Sequence, residues 1–224
     1  MMRIKVDGVY DSRTLKLLTE IGIDHQSFDF RPTSFNFLQE HHLLEILQDH
    51  HSQLSHYYLH YEGDPDFVVE KMLTEIRALE QRGVIESVDN ILLEFSDQRS
   101  ASFFTQFSWQ YILHYYHGMN LVDYLQSGNF SGLVLPLSIL RSYYQSGTLH
   151  SFVKNFYQTL RTSGVADSFQ LILLADWDSD IMPSIIDYFD FDLISLQINS
   201  KVESCYRNVS LGDLAKQCSY FSSL

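Results

Sequence analysis

The sequence predicts an α/β fold, a single (β/α)8 barrel over residues 1–224, from three observations. Short strand-like runs of apolar and aromatic residues alternate with segments of helical periodicity. The alternation repeats eight times, and eight units in 224 residues match a compact closed barrel of the TIM class. Strands alternating with helices require a parallel sheet with right-handed crossovers. An open doubly wound sheet would usually carry a G-x-G-x-x-G first turn, and "DGVYDS" (7–12) is not one.

The units follow in order. "IKV" (4–6) precedes "SRTLKLLTEIG" (12–22), where Leu15, Leu18 and Ile21 form a stripe that ends at Gly22, a residue suited to a helix C-cap. "HQSFDF" (25–30) precedes "SFNFLQEHHLLEILQDH" (34–50), "SHYYLHY" (55–61) precedes "DPDFVVEKMLTEIRALEQRG" (64–83), and "SVDNILLEF" (87–95) precedes "SASFFTQF" (100–107). In the second half "SWQYILHYY" (108–116) leads to "LVDYLQSG" (121–128), and "FSGLVLPLS" (130–138) to "SGTLHSFVKNFYQTLRTSG" (146–164). "FQLILLA" (169–175) leads to "SDIMPSIIDYF" (179–189), and "FDLISLQI" (191–198) to "SLGDLAKQCSYF" (210–221).

Composition narrows the function. The formal net charge of −13 repels a nucleic-acid backbone and an anionic membrane surface, and the basic residues are scattered. Neither nucleic acid nor membrane is an expected partner. The first residues are charged and lack an apolar signal core, and no long apolar run occurs, so the expected location is cytoplasmic. Cys205 and Cys218 then read as reduced thiols. No linker or low-complexity tract interrupts the chain.

In this fold, active sites form at the C-terminal ends of the strands and in the loops that follow. That places Asp7 in the mouth. It also places Lys5, Glu62, Glu94, His114, Asp176 and Glu203 at or near that end, with His117 beside them. "IKVDGVYDSRTLKLLTEIGIDHQSFDFRPTSFNF" (4–37) resembles the start of phosphoribosylanthranilate isomerase, whose first unit reads I-K-I-C-G-I-T and is followed by G-F-x-F-x-P-x-S-P-R-Y. In the same order, "SGTLHSF" (146–152) is similar to the family's G-G-T-G-x-x-F, "LLADW" (173–177) to its L-A-G-G, and "NSKVESC" (199–205) to its S-S-G-V-E-S. The resemblance implies a small-molecule ligand at the mouth, no cofactor, and a monomer or homodimer. It implies ligand contacts at Lys5, Asn36, Gly147, Thr148, Asp176, Ser200 and Glu203, with Glu62, Glu94 and His114 as further polar contacts of the mouth.

The departures from the family pattern concern its chemistry. The family's general base is a cysteine, and Asp7 stands in its place. Its general acid, an aspartate ending strand six, falls on Pro136 or Leu137, and neither can move a proton. The arginine after strand two falls on Asn36. The glycines of the phosphate cradle fall on Asp176, Trp177 and Lys201, and Asp176, Asp178 and Asp180 put negative charge where a phosphate dianion would sit. The expectation is a diverged barrel whose isomerase activity is lost or altered. Two alternatives stand beside it: an active aminoaldose isomerase of the tryptophan-biosynthesis type, with Asp7 as base and Glu94 or Asp176 as acid, and a non-catalytic scaffold using its aromatic surface. Asp7 can also simply cap the turn before Gly8.

The ten histidines suggest no metal site from spacing alone. His56 and His60 share one strand face but lie about 13 Å apart along it, and His42, His50 and His51 fall on or just after a helix. The D-x-D-x-D run at 176–180 lacks the rest of a calcium loop.

Overall fold

Eight parallel strands, each pairing with its sequence neighbours, close into a barrel when β8 docks beside β1. The computed structural model describes residues 3–164, 169–180 and 183–222. The strands are β1 (Arg3–Asp7), β2 (His25–Asp29), β3 (His56–Tyr61), β4 (Ile91–Phe95), β5 (Tyr111–His114), β6 (Phe130–Pro136), β7 (Gln170–Ala175) and β8 (Leu193–Gln197). Helices follow them: α1 (Ser12–Glu20), α2 (Glu40–His50), α3 (Asp66–Gln81), α4 (Ala101–Thr105), α5 (Leu121–Leu125), α6 (Leu137–Gln145), α7 (Leu149–Ser163), α8 (Pro183–Ile186) and α9 (Leu211–Ser222). A two-stranded ribbon, β9 (Glu203–Cys205) with β10 (Asn208–Val209), lies between β8 and α9. Residues 181–182 of the seventh expected helix, and the ends of the expected 1–224 span, lie outside the described residues.

Period-two alternation sorts each strand into two faces. Ile4, Val6, Tyr57, Leu59, Leu93, Leu113, Leu133, Leu171 and Ile194 belong to the shell packed against the helices. Tyr58, Leu92, Ile112, Val134, Ile172 and Leu193 form a separate cluster that fills the lower barrel. Burying each such side chain contributes about 1.5–3 kcal/mol.

Two features differ from the sequence expectation. The sixth strand ends at Pro136, and α6 starts at the next residue with no intervening loop. Proline suits this junction because its fixed φ starts a helix and its missing N–H is not needed there. The second helix begins at Glu40, and the stretch before it folds back so that the Leu38 N–H donates to the Asp29 carbonyl.

Candidate active site at the barrel mouth

Above the apolar filling, the inward positions become polar, and four strands converge on Lys5. Its ammonium is fully buried and donates to an oxygen of Asp7, to Glu94 Oε1 at 3.2 Å and to Ser195 Oγ at 3.2 Å, while lying 2.9 Å from Glu94 Oε2 and 4.9 Å from the centre of the Tyr58 ring. The Ser195 hydroxyl donates to the second oxygen of Asp7. Ser27 Oγ donates to Glu94 Oε2 at 3.1 Å, and His114 Nε2 lies 2.8 Å from Glu94 Oε1. His60 stacks on His114 with ring centres 4.8 Å apart, and its Nε2 meets Ser96 Oγ at 3.0 Å. The donor atoms of His60, Glu94 and His114 all lie within 4.8 Å of one another.

The two carboxylates are driven apart in acidity. Burial raises Glu94, but the Lys5 charge and its histidine neighbours outweigh that and hold it well below the ordinary carboxylate range. For Asp7, burial and the Glu94 charge outweigh Lys5, and its pKa is raised. Burial alone would lower Lys5; the charges of Asp7 and Glu94 raise it. Burial pushes His60 down to about 3, so its imidazole is neutral. Beside the cluster, Arg31 forks onto Asp29 with bonds of 2.9 and 2.7 Å. Burial alone would raise Asp29; the Arg31 fork brings it below its usual value.

Of the residues singled out in the sequence, Lys5, Asp7, Glu94 and His114 meet in one cluster, and the others do not join it. The Asn36 side chain is fully buried and donates to the Ile198 carbonyl at 2.8 Å, tying the loop after β2 to the end of β8. A Cβ on Gly8 (φ +79°) would come within 2.5 Å of the Asn36 amide nitrogen, so this close approach explains the glycine after Asp7. The Gly147 and Thr148 amides close the end of α6 on the carbonyls of Tyr144 and Tyr143, which leaves neither N–H for an anion. Glu62 is exposed on the rim. Asp176 lines a cavity of about 250 Å³ with Pro136, Ser138, Arg141 and Gln197. Ser200 and Glu203 line a second cavity of about 620 Å³ with Phe35 and Tyr206, and Tyr10 donates to Glu203 at 3.0 Å.

The cradle expected after strands seven and eight is taken up by internal contacts. The Asp176 N–H donates to Ser179 Oγ at 2.8 Å and the Lys201 N–H to Asn199 Oδ1 at 2.9 Å. Trp177 is buried, its indole N–H on the Gln197 carbonyl at 2.7 Å. Sequence reasoning missed Ser27, Ser195, Asp29, Arg31 and the mouth role of His60. The available signal was alternation, since Ser27, Asp29, His60 and Ser195 each occupy an inward position of a strand.

No family model matches the chain, and no curated protein matches it. Solved structures do. Phosphoribosyl anthranilate isomerase from Thermus thermophilus superposes over 99% of both chains with a TM-score of 0.65 at 13% identity. The fold is that of phosphoribosylanthranilate isomerase. TrpF from Jonesia denitrificans covers 97% of this chain and 95% of its own, with a TM-score of 0.62 and 17% identity. An HpcH/HpaI aldolase from Desulfitobacterium hafniense reaches a TM-score of 0.59 at 8% identity, covering 99% and 91%. Within the phosphoribosylanthranilate isomerase fold, the closed Lys5–Asp7–Glu94 network therefore occupies the end of the barrel at which this architecture builds its sites.

Proposed function

We propose that this chain is a diverged barrel of the phosphoribosylanthranilate isomerase fold that no longer catalyses the family's isomerisation, and whose mouth binds a small polar ligand of low negative charge. The observation that carries the reading is the state of Asp7. One of its oxygens is held by Lys5 and the other by Ser195, both fully buried, so the residue in the base's position is already committed to internal partners. Pro136 ends strand six where the acid belongs, and the amides that would hold a phosphate are spent on Ser179 and Asn199. Acidic side chains outnumber basic ones around the mouth, which disfavours a phosphorylated ligand. A ligand role accounts for the cluster itself: a barrel selected for stability alone gains little from buried ion pairs where apolar filling would serve.

A second reading rests on the split acidity of the two carboxylates. Opposed values in one site equip it for proton transfer, with roles reversed from the sequence expectation: Asp7 retains a proton more readily and Glu94 stays ionised. The two readings separate in a fluorescence assay with phosphoribosylanthranilate, comparing the wild type with Asp7→Asn. The expected outcome is no turnover in either protein. Turnover at about 1–10³ s⁻¹ that disappears in Asp7→Asn would replace the first reading by the second.

A further inference from the structure

The geometry points to a binding site for a late first-row divalent metal ion, zinc or cobalt in chemistry, formed by His60, Glu94 and His114 at the C-terminal ends of β3, β4 and β5. The inference deepens the reading of the mouth as a ligand site and names the ligand that this corner would take.

Three features support it. The donor set is two imidazoles and one carboxylate, a combination that binds ions of this class with three protein ligands and leaves a coordination position open. The spacing fits as well. Donors around such an ion sit about 2.0–2.2 Å from it and so about 3–3.5 Å from one another. Here His114 Nε2 and Glu94 Oε1 are 2.8 Å apart, and no pair among the three residues exceeds 4.8 Å. Side-chain shifts of about an ångström bring the three onto one ion. Finally, the outer contacts that orient such ligands are present: Ser96 Oγ on His60 Nε2 at 3.0 Å and Ser27 Oγ on Glu94 Oε2 at 3.1 Å.

The nearby cation does not oppose the site as strongly as its distance suggests. Lys5 lies 2.9 Å from Glu94 Oε2 and donates to Oε1 at 3.2 Å, a bond that an ion on Oε1 replaces, but its charge is offset by Asp7, with which it is in direct contact, so an incoming ion faces a cluster that is not net positive. Access comes from the outer side. The His114 side chain keeps 12% of its surface exposed while Glu94 keeps none, which leaves the open position facing the mouth. Sequence spacing could not show this group, because its members come from three strands.

The test is titration of the chelator-stripped full chain with Co²⁺, followed by visible ligand-field absorption, and with Zn²⁺, followed by calorimetry. The expected result is saturation at one equivalent, a dissociation constant in the micromolar range or below, loss of binding in His60→Ala/His114→Ala, and weakening by about 10–100-fold in Ser96→Ala. The exposed pair serves as control, and His41→Gln/His42→Gln should bind as the wild type does. Circular dichroism checks each fold; if the double variant does not fold, His114→Gln at the outer edge of the cluster replaces it. Absence of saturable binding, binding retained without His60 and His114, or binding lost in the control pair would each overturn the site. The readout is metal occupancy, so it is independent of any turnover of phosphoribosylanthranilate.

Discussion

Lys5 directs its ammonium to three acceptors, Asp7, Glu94 and Ser195, and has no solvent contact. Such a group contributes little net stability while paired, yet its removal leaves two carboxylates facing each other in a dry site. Lys5→Met is therefore expected to destabilise the fold by about 3–5 kcal/mol in urea denaturation at neutral pH; a loss of less than about 1 kcal/mol would show that water enters the cluster. Part of this arrangement was legible. Lys5 and Glu94 are charges flanked by apolar residues, Ile4 and Val6 in one strand and Leu93 and Phe95 in the other, which is the pattern of an inward-facing polar residue. Their pairing was not legible, because 89 residues separate them and only barrel closure brings them together. The internal bond of Asn36 was equally out of reach: its amide holds the Ile198 carbonyl, 162 residues away in the chain.

At the scale of the element, β6 is held closely on both sides. It carries the irregular register against β5, and Gly132 lies at that irregularity. A Cβ there would meet the Gln170 carbonyl oxygen at 2.7 Å and an Ile112 methyl at 3.0 Å, and backbone on one side cannot yield. Gly132→Ala is expected to cost about 1–3 kcal/mol, seen as a lowered denaturation midpoint with unchanged slope; an unaltered midpoint would mean that β6 and β7 separate freely. The strands were legible from alternation, while α6 was not. Its stripe of Leu137, Leu140 and Tyr143 follows directly on Pro136, and a proline inside an apolar run reads as punctuation after a strand, not as the first turn of a helix.

For the whole molecule, the neutral buried histidines set the response to acid. Burial pushes both His25 and His60 from 6.5 to about 3. A histidine whose folded pKa lies below its unfolded value makes stability fall as pH drops below about 6.5, because the unfolded chain takes up the proton first. Asp7, raised in the fold, works in the opposite sense and offsets part of the loss, and Glu94 enters only below its ordinary value of 4.5. The expected net loss between pH 7 and pH 5 is about 2–4 kcal/mol, measured by denaturant unfolding, and His60→Gln should reduce it by roughly half. A flat profile across that interval would show that these rings are protonated in the folded chain. At this scale the barrel was legible in the sequence because each β/α unit is local. The mouth was not, because a site gathered from β1, β2, β3, β4, β5 and β8 exists only after the ends of the sheet have met.

That meeting gives Lys5 a second role during assembly. Before β8 docks, β1 is a free edge, and a free edge invites pairing with the edge of another chain. A lysine in the middle of that edge, pointing to the face that will later be sealed, is hard to bury against a stranger. Asp7 meets it on the same edge, and the chain's own β4 and β8 supply the second carboxylate and the hydroxyl that complete its pairing. The charge that adds little net stability to the finished barrel thus guards the unfinished one, rewarding closure on itself over association with its neighbours.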